Sequence, residues 1–243
     1  MTIALEVAVQ DAAGVRVARE IGAARVELAQ ALPLGGLTAS PATLAQAVET
    51  AGDDGPEVHA LIRPRAGGFH FSAEELAASE HDVRFAVAHG ASGVVIGALA
   101  ADGTVDVEAL ARLRDAAGGA PVTLHRAIDV TPDPLAALIS AVELGFARVL
   151  TSGGVSSAID GLDTLRALVT TADGRIEVMA GSGVNAHTVA EIAATGVDAV
   201  HFSAKRTVLA QGDVRMGSAA DGVGGHDVTD LAQAKAVREA LGL

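Results

Sequence analysis

The sequence predicts a TIM (β/α)₈ barrel that spans residues 1–243 as a single domain. Three observations lead to this prediction: the length of the chain, the alternation of short β-branched segments with alanine-rich helical stretches, and the regular spacing of the segments. The chain has 243 residues, and barrels of this type typically run to about 250. The segments start roughly 22 to 36 residues apart, as do βα units with right-handed crossovers.

Eight segments are predicted as strands. They are Ile3–Val9, Arg25–Ala29, Glu57–Arg63, Gly93–Gly97, Pro121–Arg126, Ala147–Ser152, Arg175–Ala180 and Asp198–Ser203. Several of the intervening helices end in a glycine just before the next strand, at Gly22, Gly90, Gly145 and Gly196, which suits a left-handed C-cap. A doubly wound sheet is the alternative, but such sheets usually have fewer strands and a clear switch point.

Residues alternate within these strands between an apolar and a polar parity. The apolar parity should face the helices, and it comprises Leu5, Val7, Val26, Leu28, Val58, Ile62, Val122, Leu124, Ile176, Val178, Val200 and Phe202. The polar parity should point into the barrel, and it comprises Glu6, Arg25, Glu27, His59, Arg63, Thr123, His125, Arg148, Glu177 and His201. Buried charges require partners. An internal salt-bridge network is therefore expected for the deeper residues Arg25, His59, Arg148 and Glu177.

Composition excludes several classes of partner. The net charge is −13, and aromatic residues make up only 2% of the chain, so neither nucleic acid nor an anionic membrane surface is expected as a partner. There is no cysteine, which removes disulfides, thiolate ligands and cysteine nucleophiles. The chain enters a strand-like segment at once and has no long apolar run, so a cytoplasmic location is expected.

Functional residues of a TIM barrel come from the C-terminal ends of its strands and the loops that follow. The candidates for acid–base catalysis there are Glu6, Glu27, His125 and Asp129. The candidates for substrate binding are Arg63, Arg65, Arg126, Thr151, Ser152, Ser182, His201 and Ser203. Carboxylates, histidines and arginines around one mouth would suffice for acid–base chemistry on an anionic substrate. A structural ion-pair cluster is the alternative explanation.

Two local patterns indicate anion binding. In Arg63-Pro64-Arg65, a guanidinium could match a carboxylate or phosphate with two hydrogen bonds, although Arg63 could equally pair with Glu27. The glycine loops at 151–154 and 181–184 follow strands six and seven, where barrels often bind phosphate. A tight turn that needs only small residues explains these loops equally well. Asn185 is expected to cap the helix at 187–194.

Nine strings along the chain jointly resemble one protein family. They are Leu5-Glu6-Val7, Arg25-Val26-Glu27-Leu28, 35–40 (GGLTAS), 62–65 (IRPR), Asp102-Gly103 with Val105-Asp106, 125–129 (HRAID), 150–154 (LTSGG), 181–184 (GSGV) and His201-Phe202-Ser203. In this order they resemble the CutC family of copper homeostasis proteins. The resemblance implies a TIM barrel, a homo-oligomer and a role in cytosolic copper handling. It implies no particular reaction.

The sequence departs from this family at two positions. Family members often carry cysteine where this chain has Ala8 and Ala29. Copper(I) prefers thiolate and thioether ligands, and the chain offers only Met1, Met179 and Met216. A copper(I) site is therefore not carried over, and no metal ligand is assigned.

The functional hypothesis is a CutC-like barrel whose mouth binds a small anionic molecule. Two alternatives stay open: an aldolase-, isomerase- or lyase-like enzyme acting by acid–base catalysis on a phosphorylated or carboxylated molecule, and a non-catalytic divalent metal-binding protein. Neither the substrate nor a cofactor follows from the sequence. The Gly- and Asp-rich stretch at 211–227 is expected to form a flap or an oligomer contact, and 228–241 the last helix.

Overall fold

Eight parallel strands pair in chain order, and β8 closes on β1 to complete the barrel. The computed structural model describes residues 3–209 and 225–243. The barrel strands are β1 Ala4–Val9, β2 Arg25–Leu28, β3 Glu57–Leu61, β4 Gly93–Ile96, β5 Val122–Leu124, β6 Arg148–Thr151, β7 Glu177–Gly181 and β8 Ala199–Phe202. The predicted TIM barrel is confirmed.

Helices surround the barrel, and short polar side chains start most of them. The helices are α1 Ala12–Glu20, α2 Pro41–Ala51, α3 Ala73–Ala88, α4 Val107–Ala116, α5 Pro134–Glu143, α6 Leu162–Ala172, α7 Val189–Ala193 and α8 Leu231–Ala240. Asp11, Ser40, Ser72, Asp106 and Asp133 each accept a hydrogen bond from a backbone N–H of the first helical turn. These caps satisfy donors that the helix itself cannot. No helix within 3–209 and 225–243 has the length and apolar character needed to cross a membrane.

Glycine ends the helices where the sequence predicts it. Gly22, Gly90, Gly145 and Gly196 all have positive φ, between 67° and 95°. A left-handed conformation costs glycine nothing, because it has no Cβ. The predicted helix-to-strand signal is therefore confirmed.

The two strand parities separate as predicted. Every residue of the apolar parity belongs to one large core between the strands and the helices. Smaller apolar clusters lie among inward-facing residues: one joins Ala29, Leu61 and Val95, and another joins Leu150, Met179 and Ala199. The apolar free energy of folding is thus concentrated outside the barrel wall, which leaves the interior available for charged groups.

A chain of ion pairs runs through the barrel interior. Arg25 pairs with Glu6 through a 3.0 Å Nε–Oε2 contact and also with Glu177. Glu177 pairs in turn with Arg148, whose guanidinium also donates to Thr123. His59 is fully buried and contacts the Glu57 carboxylate. The internal salt-bridge network expected for the deeper residues is present, and it links charges on β1, β2, β6 and β7.

Several element boundaries differ from the predictions. β3 and β5 each stop two residues before the predicted end. After β5, the His125 side chain accepts the backbone N–H of Ala127 and begins a 3₁₀ turn. Asn185 does not cap α7: its side chain accepts from the His187 N–H in a preceding turn, and Thr188 is the N-cap.

The region after β8 was predicted wrongly in part. Lys205–Leu209 forms β9, which pairs antiparallel with β10, Gly225–Thr229. The start of the predicted last helix is therefore a strand, and α8 begins only at Leu231. The rest of the expected flap, 211–224, lies outside the described residues. The sequence did not indicate this strand pair because its two strands are 15 residues apart, without the spacing of a short hairpin.

Candidate functional site

A cavity of about 290 Å³ opens at the C-terminal end of the barrel strands. Its wall includes these sequence-predicted site residues: Glu27, Arg63, His125, Arg126, Ser182, His201 and Ser203. Small-molecule pockets typically measure about 300–1,000 Å³. The cavity therefore suits a ligand at the small end of that range.

Other predicted site residues lie outside the cavity wall. Glu6 is fully buried beneath it, and Thr151 and Ser152 are also fully buried. Arg65 bonds the Glu75 carboxylate and the carbonyls of Gly68 and His70, so its guanidinium is taken up by its own loop and by α3. These residues can influence the cavity only through the residues that they contact.

Asp129 organises the loop after β6. Its carboxylate accepts hydrogen bonds from the Thr151 hydroxyl, from the N–H and the hydroxyl of Ser152, and from the N–H of Gly154. It also pairs with Arg126 at 2.7 Å. A carboxylate so fully engaged holds a loop in place. It positions Arg126, which lines the cavity, and the loop that follows.

Three ionisable side chains on adjacent strands form the floor of the site. Register pairing sets Glu6 beside His201 and Ala8 beside Glu27, so β1, β2 and β8 bring the three together. His201 Nδ1 lies 2.8 Å from Glu6 Oε1. Ligand-type atoms of Glu6, Glu27 and His201 all lie within 4.8 Å of one another. The sequence predicted these residues, and barrel closure makes them neighbours.

The two carboxylates of this floor differ in charge state. Burial raises the pKa of Glu6, but the hydrogen bond from His201 and the charges of His201 and Arg25 lower it to about 2. Burial raises the pKa of Glu27 to about 7, with only partial relief from His201. Burial lowers the pKa of His201, but Glu27 and Glu6 raise it more, so it ends above its ordinary value. Glu6 and His201 thus form an ion pair, beside which Glu27 gains or loses a proton near neutral pH.

This floor has the donor types of a divalent metal site, but its charges oppose one. Carboxylate and imidazole suit divalent ions. However, the guanidinium of Arg25 and the protonated imidazole of His201 already neutralise Glu6. A cation would have to displace the His201 proton and lie close to a buried guanidinium. We therefore assign no metal to this cluster.

His125 presents a neutral imidazole to the cavity. Its Nδ1 accepts the N–H of Ala127 at 3.1 Å, which places the proton on Nε2. Burial, with a further contribution from the charge of Arg63, lowers the pKa of His125 to about 4. Nε2 is buried and finds no partner among the described residues. The ring fits because residue 97 is glycine: a Cβ there would lie 2.2 Å from His125 Cε1.

Arg63 is held by main-chain oxygens and not by a carboxylate. Its Nη1 donates to the carbonyls of Leu34 and Gly36, and its Nη2 donates to that of Gly67. Nε has no partner within the described part of the chain, and the side chain is buried. The suggested pairing with Glu27 does not form. The cavity wall therefore carries a cation whose charge no carboxylate of the described residues neutralises.

Phe69 and Lys205 are among the residues of the cavity wall that the sequence did not indicate as site candidates. The Phe69 ring lies 4.8 Å from the His125 ring and under the Arg63 guanidinium, with Cζ 5.2 Å from its centroid. Lys205 lies at the rim, 3.5 Å from Asp227 of β10. Phe69 had a usable signal, since it is one of five phenylalanines and follows the third strand. Lys205 had none, because the hairpin that places it was not predicted.

Similarity to known proteins identifies the family of this chain. The sequence profile described as the CutC family matches residues 3–206. This chain belongs to the CutC family. A CutC family protein of Caulobacter vibrioides is 46% identical over 202 residues, covering 83% of this chain and 81% of that protein. One from Sinorhizobium medicae is 41% identical over 240 residues, covering 98% and 96%.

A solved CutC structure has the same fold. The putative copper homeostasis protein CutC from Streptococcus agalactiae superposes with a TM-score of 0.79 at 32% identity, covering 83% of this chain and 98% of that one. The expected resemblance to CutC is therefore confirmed over most of the chain, from the first strand through the cavity residues on β8. The cavity described above lies in a CutC barrel.

Proposed function

We propose that this CutC protein binds a small anionic molecule in the cavity at the C-terminal end of its barrel. The observation that carries the proposal is the buried Arg63 cation, whose charge is not matched by any carboxylate of the described residues. The other cations of the cavity wall have acidic partners: His201 pairs with Glu6, Arg126 with Asp129 and Lys205 with Asp227. The chain as a whole is strongly acidic, at −13, so affinity for an anion must come from the local charge of Arg63 and not from the net charge.

The Arg63 guanidinium is prepared for an anion before one arrives. Three carbonyl oxygens hold it in one orientation, and the Phe69 ring lies against it. A side chain that is already ordered loses less entropy on binding. Arginine cannot shed its charge in a protein, so burial leaves a cation that an anionic ligand would stabilise.

We expect Arg63→Gln to weaken anion binding while preserving the fold. Glutamine keeps two N–H donors for the loop carbonyls but removes the positive charge. The measurement is the melting temperature of the protein with inorganic phosphate, phosphorylated sugars and organic acids. A ligand at 100 times its Kd stabilises the folded state by about 2.7 kcal/mol, and the variant should lose most of this stabilisation.

Arg175→Gln is the matched control for this experiment. Arg175 is exposed at the N-terminal end of β7, and its guanidinium also donates only to main-chain carbonyls, those of Thr171 and Ala172. It should bind every anion as the wild type does. The proposal fails if no anion raises the melting temperature, or if Arg63→Gln responds to each anion like the control.

The name of the Streptococcus agalactiae relative supports a role in copper homeostasis for this protein too. We propose that any such role proceeds through the anion site and not through thiolate-bound copper. Ala8 lines the cavity and Ala29 is fully buried nearby, and these are the positions where CutC proteins often carry cysteine. Met179 is buried in the barrel interior, where its sulfur lies 4.0 Å from the Arg25 guanidinium.

We expect the protein to hold no tight copper(I). Without thiolates, the nearest donors are imidazoles and carboxylates, which match divalent ions better. The measurement is a copper(I) titration under reducing conditions against a chromophoric chelator, with a cysteine-containing CutC protein as the control. The chelator should keep the copper in the presence of this chain. Stoichiometric retention by this chain at sub-nanomolar free copper would contradict the expectation.

A further inference from the structure

Two side chains of the cavity wall have complementary hydrogen-bonding properties: Glu27 offers an acceptor and His125 offers a donor. Glu27 is 6% exposed, and no described residue donates a hydrogen bond to its carboxylate. His125 has its Nε2–H buried and unpaired, again among the described residues, while its Nδ1 is fixed by the Ala127 N–H. One is an acceptor without a donor and the other a donor without an acceptor. The Glu27 carboxylate lines the cavity, where a ligand can reach it, whereas a buried donor such as His125 Nε2 is rarely left without an acceptor, and such an exception often marks a ligand or a reaction.

We propose that the anion bound in this cavity carries a carbonyl group, and that Glu27 and His125 catalyse proton transfer at the carbon next to that carbonyl. Glu27 is the base, and the His125 Nε2–H polarises the carbonyl oxygen. The inference rests on the proposed anion site, since Arg63 supplies the charge that would hold the ligand's carboxylate or phosphate. It goes beyond that site by assigning a class of substrate and a reaction.

The step balances with the groups present. The Glu27 carboxylate takes a proton from the carbon, and the electron pair of the broken C–H bond forms the C=C bond of an enolate. The carbonyl π pair moves to the oxygen, which accepts the hydrogen bond from His125 Nε2–H. Return of a proton from the Glu27 carboxyl to the carbon restores the carbonyl. A neutral imidazole suits this role because its N–H can donate a hydrogen bond to the carbonyl oxygen although the ring carries no positive charge.

The surroundings of Glu27 keep it usable as a base. Glu6 on β1 and His201 on β8 flank it, and their donor and acceptor atoms lie within 4.8 Å of it. The charged or titratable groups of the other strand ends around the cavity are Arg63, His125, Arg126 and Lys205. The His201 charge opposes the effect of burial, and the pKa of Glu27 ends at about 7. A base works best when its pKa is close to the working pH.

Glu6 and Arg25 are positioning residues for this reaction. Glu6 holds His201 through Nδ1 and is itself held by Arg25, which extends the contact into the interior ion-pair network. The network fixes the positive charge of His201 beside Glu27. It touches no ligand, since neither Glu6 nor Arg25 lines the cavity.

Hydrogen–deuterium exchange in two anions that carry a carbonyl group tests the proposal. The protein is incubated in D₂O with pyruvate and with dihydroxyacetone phosphate, and the loss of the signal of the C–H next to the carbonyl is followed by NMR. The wild type should accelerate exchange of a probe that raises its melting temperature. The rate should rise with pH with a midpoint near the Glu27 pKa of about 7. Glu27→Gln should lower the rate by about 10² to 10⁴-fold, the usual effect of losing a general base.

Two further variants sharpen the result. His125→Phe keeps the ring contact with Phe69 but removes the donor, and it should lower the rate by about 10²-fold or more, as loss of an oxyanion donor does. Glu49→Gln removes an exposed carboxylate on α2 and should leave the rate unchanged. Melting curves of every variant show that it is folded.

The outcomes separate this inference from the anion site. If neither probe raises the melting temperature, the proposed anion site does not bind these carbonyl-containing anions, and the inference fails with it. If a probe binds but exchanges no faster than in buffer, the anion site stands and the proton-transfer proposal is overturned. Exchange that survives in Glu27→Gln, or that lacks the rise near pH 7, also overturns it.

Discussion

We expect Glu27→Gln to increase the free energy of unfolding, relative to the wild type, by more at pH 8 than at pH 4. Burial raises the pKa of Glu27 to about 7 from an ordinary value of 4.5. The folded state therefore holds a proton that the unfolded chain has already lost. The stabilisation from this protonated carboxyl is complete below pH 4.5 and is lost as pH rises through 7. Glutamine has no charge to bury, so the variant escapes this loss.

The effect should be large because the shift is large. At 1.36 kcal/mol for each pKa unit, it corresponds to about 3 kcal/mol between pH 4 and pH 8. Urea unfolding of the wild type and the variant across this range measures it. The unfolding free energy of the variant should increase relative to that of the wild type as pH rises. Glu49→Gln should show no such trend. A difference that stays flat with pH would mean that Glu27 is not desolvated as described.

Replacing Arg25 with methionine is expected to destabilise the protein by about 3–5 kcal/mol, the usual cost of breaking a buried ion pair. Arg25 is 7% exposed and bridges Glu6 and Glu177. Its removal leaves the buried Glu6 carboxylate with His201 and the partly buried Glu177 carboxylate with Arg148 as their remaining partners among the described residues. Methionine fills similar volume, so the loss reports on charge rather than on a cavity. Urea unfolding at neutral pH measures it.

Two comparisons identify the cause of that loss. Arg175→Met, at an exposed site, should change the free energy of unfolding by no more than about 0.5 kcal/mol. The double variant Arg25→Met with Glu6→Gln should recover part of the loss, because one uncompensated carboxylate is gone. If the double variant is only additively worse, the two side chains are not energetically coupled and the network does not act as a unit.

The fold could be predicted from the sequence because its signals are local. Glycine before four of the strands and the two-residue alternation within strands are both properties of neighbouring residues. The alternation also named the polar interior correctly, from Glu6 and Arg25 through Glu177 to His201. The ends of elements were less predictable, as at β3, β5 and α8. There a side chain such as His125 turns the chain, or residues predicted as helical pair instead with a distant strand, as Val228 and Thr229 of β10 pair with β9.

The site could be predicted only as a set of candidates. The rule that barrel strands present function at their C-terminal ends selected Glu27, Arg63, His125 and His201, and all four line the cavity. The same rule could not distinguish Arg63 from Arg65 or Asp129 from Glu27. Those distinctions depend on which partner each charge meets, and the partners come from other strands and loops.

The sequence alone determined the barrel, the CutC resemblance and the absence of the thiolates that copper(I) would need. Only the tertiary structure decided the charge states: an ionised Glu6, a Glu27 that titrates near pH 7, a neutral His125 and an Arg63 without a carboxylate partner in the described chain. The physical reason is that composition and periodicity are carried by near neighbours. A pKa or an unsatisfied donor depends on burial and on groups up to 195 residues apart, as Glu6 and His201 are.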